Sequence, residues 1–594
     1  MDRDLKEILK EAKRDNVESK MKAARHYEDT EQYKEAFQWY VDAANEEQPE
    51  AQVKVADYYY EGKGIKQDYQ KAFNWYLKAS TYNNGDAFCK LANLYKEGLG
   101  TEQDLEEAIA LYEKAADLGV VDAKYNLGVM YRNGVNVGKD DQKAFEYFLD
   151  AANGGDARAK VNVGYCYSNG VGTNQNINKG IEFYKDAADF ENVTAMFNLG
   201  MCYKTGFGVA QDITKAIEYF ELAGKRGHGR SLHELGQIYE SEIAHRKNLG
   251  FAIDCYKRAI ENKYLESAVR LSKIFFERKE NKKAMQILND CIENIEVQYV
   301  LGSYYFNGEY IEKNYVKALK LFSGAAKEGH NKAQYCMGLA YFYGYGVEAD
   351  LDRAVECFKI SSENNCIEAM MILSKIYEER NLKESHELLR KAAELNDANS
   401  MYKLGYNYAH GKFVEKNLSE AFGWYQKAAN LDHPQAQCNL GLCYLSGKGV
   451  VKNDAFGIYW LERAVNNNSI MAMLNLGSCY ESGIGVEINH YFALKNYLKA
   501  ANNDNIDAQL AVARLYKTVY KDYEQAVYWL NEAMKKGKDE AYIELADIYI
   551  SGYDNNVDEN KAIMLLECVN NKDSEKYKKI DAKINEYIKE KVAV

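Results

Sequence analysis

Apolar and small residues recur along this chain with two nested periods. The short period is helical. In the stretch AMFNLGMCYKTGFGVAQDITKAIEYFELAG, Ala195, Leu199, Gly200 and Tyr203 stand at offsets 0, 4, 5 and 8. Ala216, Tyr219, Phe220 and Ala223 follow at offsets 21, 24, 25 and 28. Each set marks one face of an α-helix. The long period is 36 residues, with copies starting at Ala51, Ala87, Ala123, Ala159, Ala195, Ser231 and Ser267. Further copies start at Val297, Ala333, Ala369, Ser400, Ala436, Ala472, Ala508 and Ala541, and an atypical first copy at Ser19. The 16 copies span residue 19 to about 570. Offset 5 is Gly, Ala or Ser in all 16, and offset 8 is Tyr in 15, with Phe275 the exception.

Each copy predicts a helix A, a turn and a helix B. Small residues at offsets 5 and 21 allow close helix approach. The rings at offsets 8, 24 and 25 are expected to fill the space between neighbouring copies, each burying about 150–250 Å². Trp75, Trp424 and Trp460 occupy offset 24, and Trp39 and Trp529 the equivalent slot of their shorter copies. Between the helices, pairs such as Gly62 and Gly64 form a Gly-x-Gly loop whose first Gly suits a left-handed helix C-cap. Asp68, Asp104, Asp212 and Asn417 suit the N-cap of helix B. Pro49 and Pro434 precede a copy start by two residues, where a first helical turn tolerates Pro.

These residues resemble the Sel-1-like repeat family, relatives of the tetratricopeptide repeat. The copy from Ala51 follows its pattern through Val55, Ala56, Tyr59, Gly62, Gly64, Ile65, Asp68, Lys71, Ala72, Trp75, Tyr76, Lys78 and Ala79. The resemblance implies an all-α fold, a right-handed α/α superhelical solenoid of about 16 helix-turn-helix repeats, and a role in protein–protein interaction. Some copies depart from the pattern. Those at Ser231, Ser267, Ala369 and Ala508 lack the loop glycines. The expected organisation is an N-terminal capping helix (1–18), an N-terminal arm (19–240), irregular repeats forming a bend (241–296), a C-terminal arm (297–570) and a capping helix (571–594).

Composition narrows the function. The chain of 594 residues has 47% hydrophobic and 28% charged side chains, which excludes global disorder. Only 2 Pro fits long helices. The net charge of −13 disfavours nucleic acid and anionic membrane surfaces as partners. No run approaches 18 apolar residues, so no membrane insertion is expected. The 12 Cys show no CxxC and no fixed pair per copy, which fits a reduced, cytoplasmic protein.

Candidate chemistry is sparse. The Gly-x-Gly loops follow helices rather than strands, so they are structural rather than phosphate-binding. His228 and His233 are five residues apart and do not share a helical face, so a zinc site is not expected. Cys166, Cys202, Cys443 and Cys479, all at offset 7, read as small buried residues. No catalytic triad stands out, and neither a cofactor nor enzymatic activity is expected. By analogy with tetratricopeptide arrays, offsets −1, 2, 6, 9 and 10 of helix A line a concave face. There the expected partner-binding residues are Tyr125, Tyr165, Phe197 and Met201 in the N-terminal arm. In the C-terminal arm they are Tyr299, Phe306, Tyr335, Leu339, Phe342, Tyr343, Met371, Tyr402, Tyr406 and Leu442. The alternative for these side chains is packing between neighbouring A helices. The expected function is a non-catalytic scaffold or adaptor holding a protein or peptide segment. The alternatives are a structural subunit bound through its convex or terminal surfaces, and a regulator of an enzyme in trans, including a host enzyme if the source is an intracellular bacterium.

Overall fold

The computed structural model describes residues 9–12, 16–241, 247–380, 383–552 and 557–593. Among these the structure is all-α, without a strand. Sixteen helix pairs run from Val17–Asp29 with Tyr33–Asn45 to Asp539–Ile550 with Glu559–Glu567, and the helix Glu575–Ala593 follows. The chain divides into two compact units, residues 1–297 and 298–594. The division falls at the C-terminal edge of the expected bend. Most of the expected 1–18 helix and most of the loop 241–248 lie outside the described residues.

The copy from Ala195 shows why the sequence folds this way. Asn192 Oδ1 accepts the Ala195 N–H at 3.0 Å and caps helix A, Val193–Thr205. Gly206, at φ +78°, ends that helix and donates to the Cys202 carbonyl. Asp212 Oδ1 accepts the Lys215 N–H at 3.1 Å and caps helix B, Ile213–Lys225. The Asp212 N–H reaches back to the Tyr203 carbonyl at 2.9 Å, which ties the loop to helix A. Pro49 and Pro434 each open a helix A.

Packing within the copy adds to one expectation. The offset-25 ring lies on the small offset-5 residue of its own helix A as well as meeting the next copy, as Tyr40 meets Tyr58 at 5.8 Å. A Cβ on Gly200 would stand 2.5 Å from the Phe220 ring, and one on Gly338 would stand 2.5 Å from the Phe358 ring. The rings at offsets 8 and 24 stack on each other, as Tyr203 and Tyr219 do at 5.8 Å. The offset-20 cation covers the same offset-8 ring, with Lys215 5.3 Å above Tyr203. The second loop glycine has a separate reason from the first. Gly172 has φ +68°, and a Cβ there would fall 1.9 Å from the Asp141 carbonyl of the preceding copy. The loop therefore presses its backbone onto the start of the preceding helix B.

Histidines join some successive copies. His228, His330 and His433 are N-caps of a helix A, and each Nδ1 accepts the N–H three residues on, at 3.3, 3.0 and 3.2 Å. Such bonds need a bare Nδ1, hence a neutral ring. Burial lowers the pKa of both His228 and His433. His233, at the position considered for zinc, instead bonds Ser267 Oγ at 2.9 Å and Gln237 at 3.0 Å. Of the offset-7 cysteines, Cys166, Cys202 and Cys479 are buried, whereas Cys443 is half-buried.

Three outcomes are expected. Gly200→Leu drives a side chain into the Phe220 ring and lowers unfolding stability by about 1–3 kcal/mol or more in denaturant titration. Gly172→Ala combines a left-handed backbone with a carbonyl clash. It therefore costs more than Gly119→Ala, which has φ +88° but no atom within 4 Å and should lose only about 1 kcal/mol. Equal losses from the two substitutions would show that the loop does not press on the preceding helix. The third concerns pH. The folded pKa of His228 and His433 lies below the unfolded value, so the unfolded chain binds more protons. Their contribution is complete above about pH 6.5 and is lost as pH falls through the lower folded value. The melting temperature should drop as the pH falls below about 6.5. His228→Asn with His433→Asn should shrink that drop, because Asn84, Asn192 and Asn505 already cap other A helices.

Candidate partner-binding face

The expected binding residues all lie on A helices, and the structure sorts them by offset. At offset 2 the ring leans on the offset-25 ring of its own copy. Tyr125 lies 5.9 Å from Phe148, Tyr299 6.1 Å from Phe322, Tyr335 5.9 Å from Phe358 and Tyr402 6.1 Å from Tyr425. The capping histidine of the next copy then covers two of them, His330 stacking on Tyr299 at 4.4 Å and His433 on Tyr402 at 4.8 Å. Arg158 lies 4.3 Å over Tyr125 in the same place. These four rings are half-buried. Burial raises the Tyr335 hydroxyl pKa to about 12.

Phe197 requires a correction. It is only 7% exposed, packed between Phe220 and His228 beneath the Arg230 guanidinium. It is a packing residue without surface for a partner, because His228 and Arg230 together close over it.

Offsets 6 and 10 point outward. Tyr165, Tyr343, Tyr406 and Leu442 are exposed, from 36% at Leu442 to 57% at Tyr343. Tyr406 stacks on His410 at 4.0 Å, and Tyr343 lies beside Phe342 at 4.8 Å and Tyr345 at 5.4 Å. Met201, Phe306, Leu339, Phe342 and Met371 are half-buried. Phe306 sits among Tyr315, Phe322 and Tyr345. Met371 Sδ accepts the Ser400 hydroxyl of the next copy at 2.9 Å.

The same face carries a cleft of about 380 Å³ that the sequence reading passed over. Leu474, Ser478, Leu510, Arg514 and Lys517 line it with Glu544 and Lys576. The first five stand at offsets 2, 6 and 9 of the Ala472 and Ala508 copies. They obey the same offset rule as the expected binding residues, which end at Leu442, but none of them is aromatic. Local geometry sets Lys517. The glycine-free Ala508 copy ends helix A in a π-helical turn, Tyr516–Tyr520. Lys517 on that turn bonds Glu544 at 2.9 Å and Asp547 at 2.6 Å. Burial pulls the Lys517 pKa down, but these two carboxylates outweigh it and the net shift is upward. The face thus presents rings and satisfied ion pairs. Among the described residues, no group of three or more His, Cys, Asp or Glu could hold a metal ion. No described helix is long and apolar enough to cross a membrane.

The comparisons with known proteins agree with this architecture. Among solved structures, the chain is similar to a protective antigen of uropathogenic Escherichia coli displaying an SLR fold. The two are 24% identical, with 81% of this chain and 97% of the other covered and a TM-score of 0.43. It is 30% identical to a Sel1 repeat protein from Oxalobacter formigenes over 41% of this chain and 99% of the other, with a TM-score of 0.39. An immunity protein from Pseudomonas aeruginosa is 21% identical over 36% of this chain and 81% of its own, with a TM-score of 0.26. No curated protein matches the sequence. The Sel1 repeat model matches residues 49–81, 86–120, 121–156, 157–189, 193–228, 229–264, 295–330, 331–366, 369–397, 398–433, 434–469, 470–505, 506–538 and 539–568. The copies from Ser19 and Ser267 lie outside these matches, yet each is a helix pair of the same order, Val17–Asp29 with Tyr33–Asn45 and Ser267–Glu277 with Asn281–Asp290. With most of its length matched, the chain belongs to the Sel1 repeat family.

Proposed function

We propose that this protein is a non-catalytic scaffold or adaptor that holds a segment of a protein partner along the A-helix face of residues 298–594. Sel1 repeat proteins generally mediate protein–protein interaction, and the family is generally non-catalytic. One observation carries the choice of face: Tyr343, Tyr406 and Leu442 are exposed at offsets 6 and 10 on A helices of one compact unit. Exposed aromatic anchors in a row are the usual mark of a docking surface. The half-buried rings of Tyr299, Tyr335 and Tyr402 form the floor between them. Neighbouring A helices are roughly 10 Å apart, so the three anchors span about 30 Å, the length of an extended segment of about nine residues. The net charge of −13 favours a partner with basic flanks, whose association slows as salt rises.

The test replaces the anchors and not the floor. Tyr343→Ser, Tyr406→Ser and Leu442→Ser together should weaken binding of the purified partner at least tenfold, about 1.4 kcal/mol, with an unchanged melting temperature. Tyr335→Ala should instead lower the melting temperature, because it uncovers Phe358. Full affinity in the triple variant would move the binding surface elsewhere.

A further inference from the structure

A second exposed apolar surface lies on the B helices of the Ala436, Ala472 and Ala508 copies. Phe456 and Tyr459 on Asp454–Asn466, Tyr491 and Phe492 on His490–Ala501, and Tyr523 and Tyr528 on Tyr523–Met534 are 38% to 65% exposed. In the adjoining loops Val451, Ile484 and Ile488 are exposed as well. The fold does not demand apolar residues there. At the position of Phe456 and Phe492, offset 20, other copies carry Lys71, Lys143, Lys179 and Lys215, each 5.1–5.5 Å over the offset-8 ring. Phe456 and Phe492 cover Tyr444 and Tyr480 from the same place, at 5.5 and 5.4 Å, so a lysine would serve the packing equally.

The nine side chains expose roughly 900 Å², taking about 150–250 Å² for a whole aromatic side chain. The largest apolar patch of a typical monomer is about 300–600 Å², whereas a stable interface takes about 800 Å² from each partner. The charges on this surface complement one another. His490–Ala501 bears Lys495 and Lys499 exposed and no carboxylate, whereas the neighbouring Tyr523–Met534 bears Glu524 exposed and Glu532 half-buried and paired with Lys535. A two-fold axis between these two helices sets each against the other helix of a second copy. Lysines then meet glutamates while Tyr491 and Phe492 meet Tyr523 and Tyr528, the reciprocal pairing a closed dimer requires.

We infer that this B-helix face pairs with the same face of a second copy of the chain, so that the protein is a two-fold dimer with its A-helix face left free for a partner. The inference stands apart from the proposed function, because it uses other residues and needs no partner. The experiment is sedimentation equilibrium of the full chain at about 10 µM, since interfaces of this size hold at micromolar concentration or below. The wild-type protein should sediment at twice the chain mass. Tyr491→Glu with Tyr528→Glu should sediment as a monomer, with far-ultraviolet circular dichroism and melting of the isolated chain showing that it is folded. Lys499→Glu and Glu532→Lys should each weaken the dimer at least tenfold, and the two together should restore it. A wild-type monomer overturns the inference, as does a dimer untouched by the tyrosine substitutions or a charge swap that fails to restore pairing.

Discussion

The close seat of a helix-B side chain on a small helix-A residue is the contact on which the rest depends. In most copies the seated group is a ring, and it is buried: Phe148 on Gly128, Tyr184 on Gly164, Tyr256 on Gly236, Tyr497 on Gly477. No side chain fits between ring and backbone, so the offset-5 residue never exceeds Ala or Ser. With the two helices held this close, the loop between them has little freedom. The left-handed glycine, the Asp or Asn cap and the bond from that cap to the offset-8 carbonyl all follow from a short span between two fixed ends. Stacking along the array then needs only small devices, such as the Gly172 backbone against the preceding helix start or a capping histidine over an offset-2 ring.

Such a frame leaves much of its surface unconstrained. A lysine or a phenylalanine at offset 20 covers the same tyrosine equally well, and offset 6 accommodates Ser478, Arg514, Tyr406 or Leu442. That logic separates the anchors Tyr343 and Tyr406 from floor residues such as Tyr402, whose ring is held on both sides. It also explains the Tyr-rich composition. A tyrosine at offset 25 buries its ring yet reaches a polar group with its hydroxyl, as Tyr256 does with Glu240 at 2.6 Å and Tyr497 with Glu481 at 2.8 Å.

The sequence by itself determined the helix pairs, their number and their caps, because period, small-residue slots and cap residues are local signals written into every copy. Even the copies from Ser19 and Ser267 were legible, since the 0, 4, 5, 8 spacing survives the loss of the loop glycines. The candidate site was legible only in part. Offsets named the face but not which side chains on it are open, because exposure depends on what the neighbouring copy places above each ring. His228 and Arg230 bury Phe197, whereas Tyr406 stays 41% exposed beside His410 of its own helix. The Lys517 cleft and the B-helix aromatic surface were decided in the same way by tertiary structure. A π-helical turn brings one lysine onto two carboxylates, and stacking aligns rings from three copies that lie far apart in sequence.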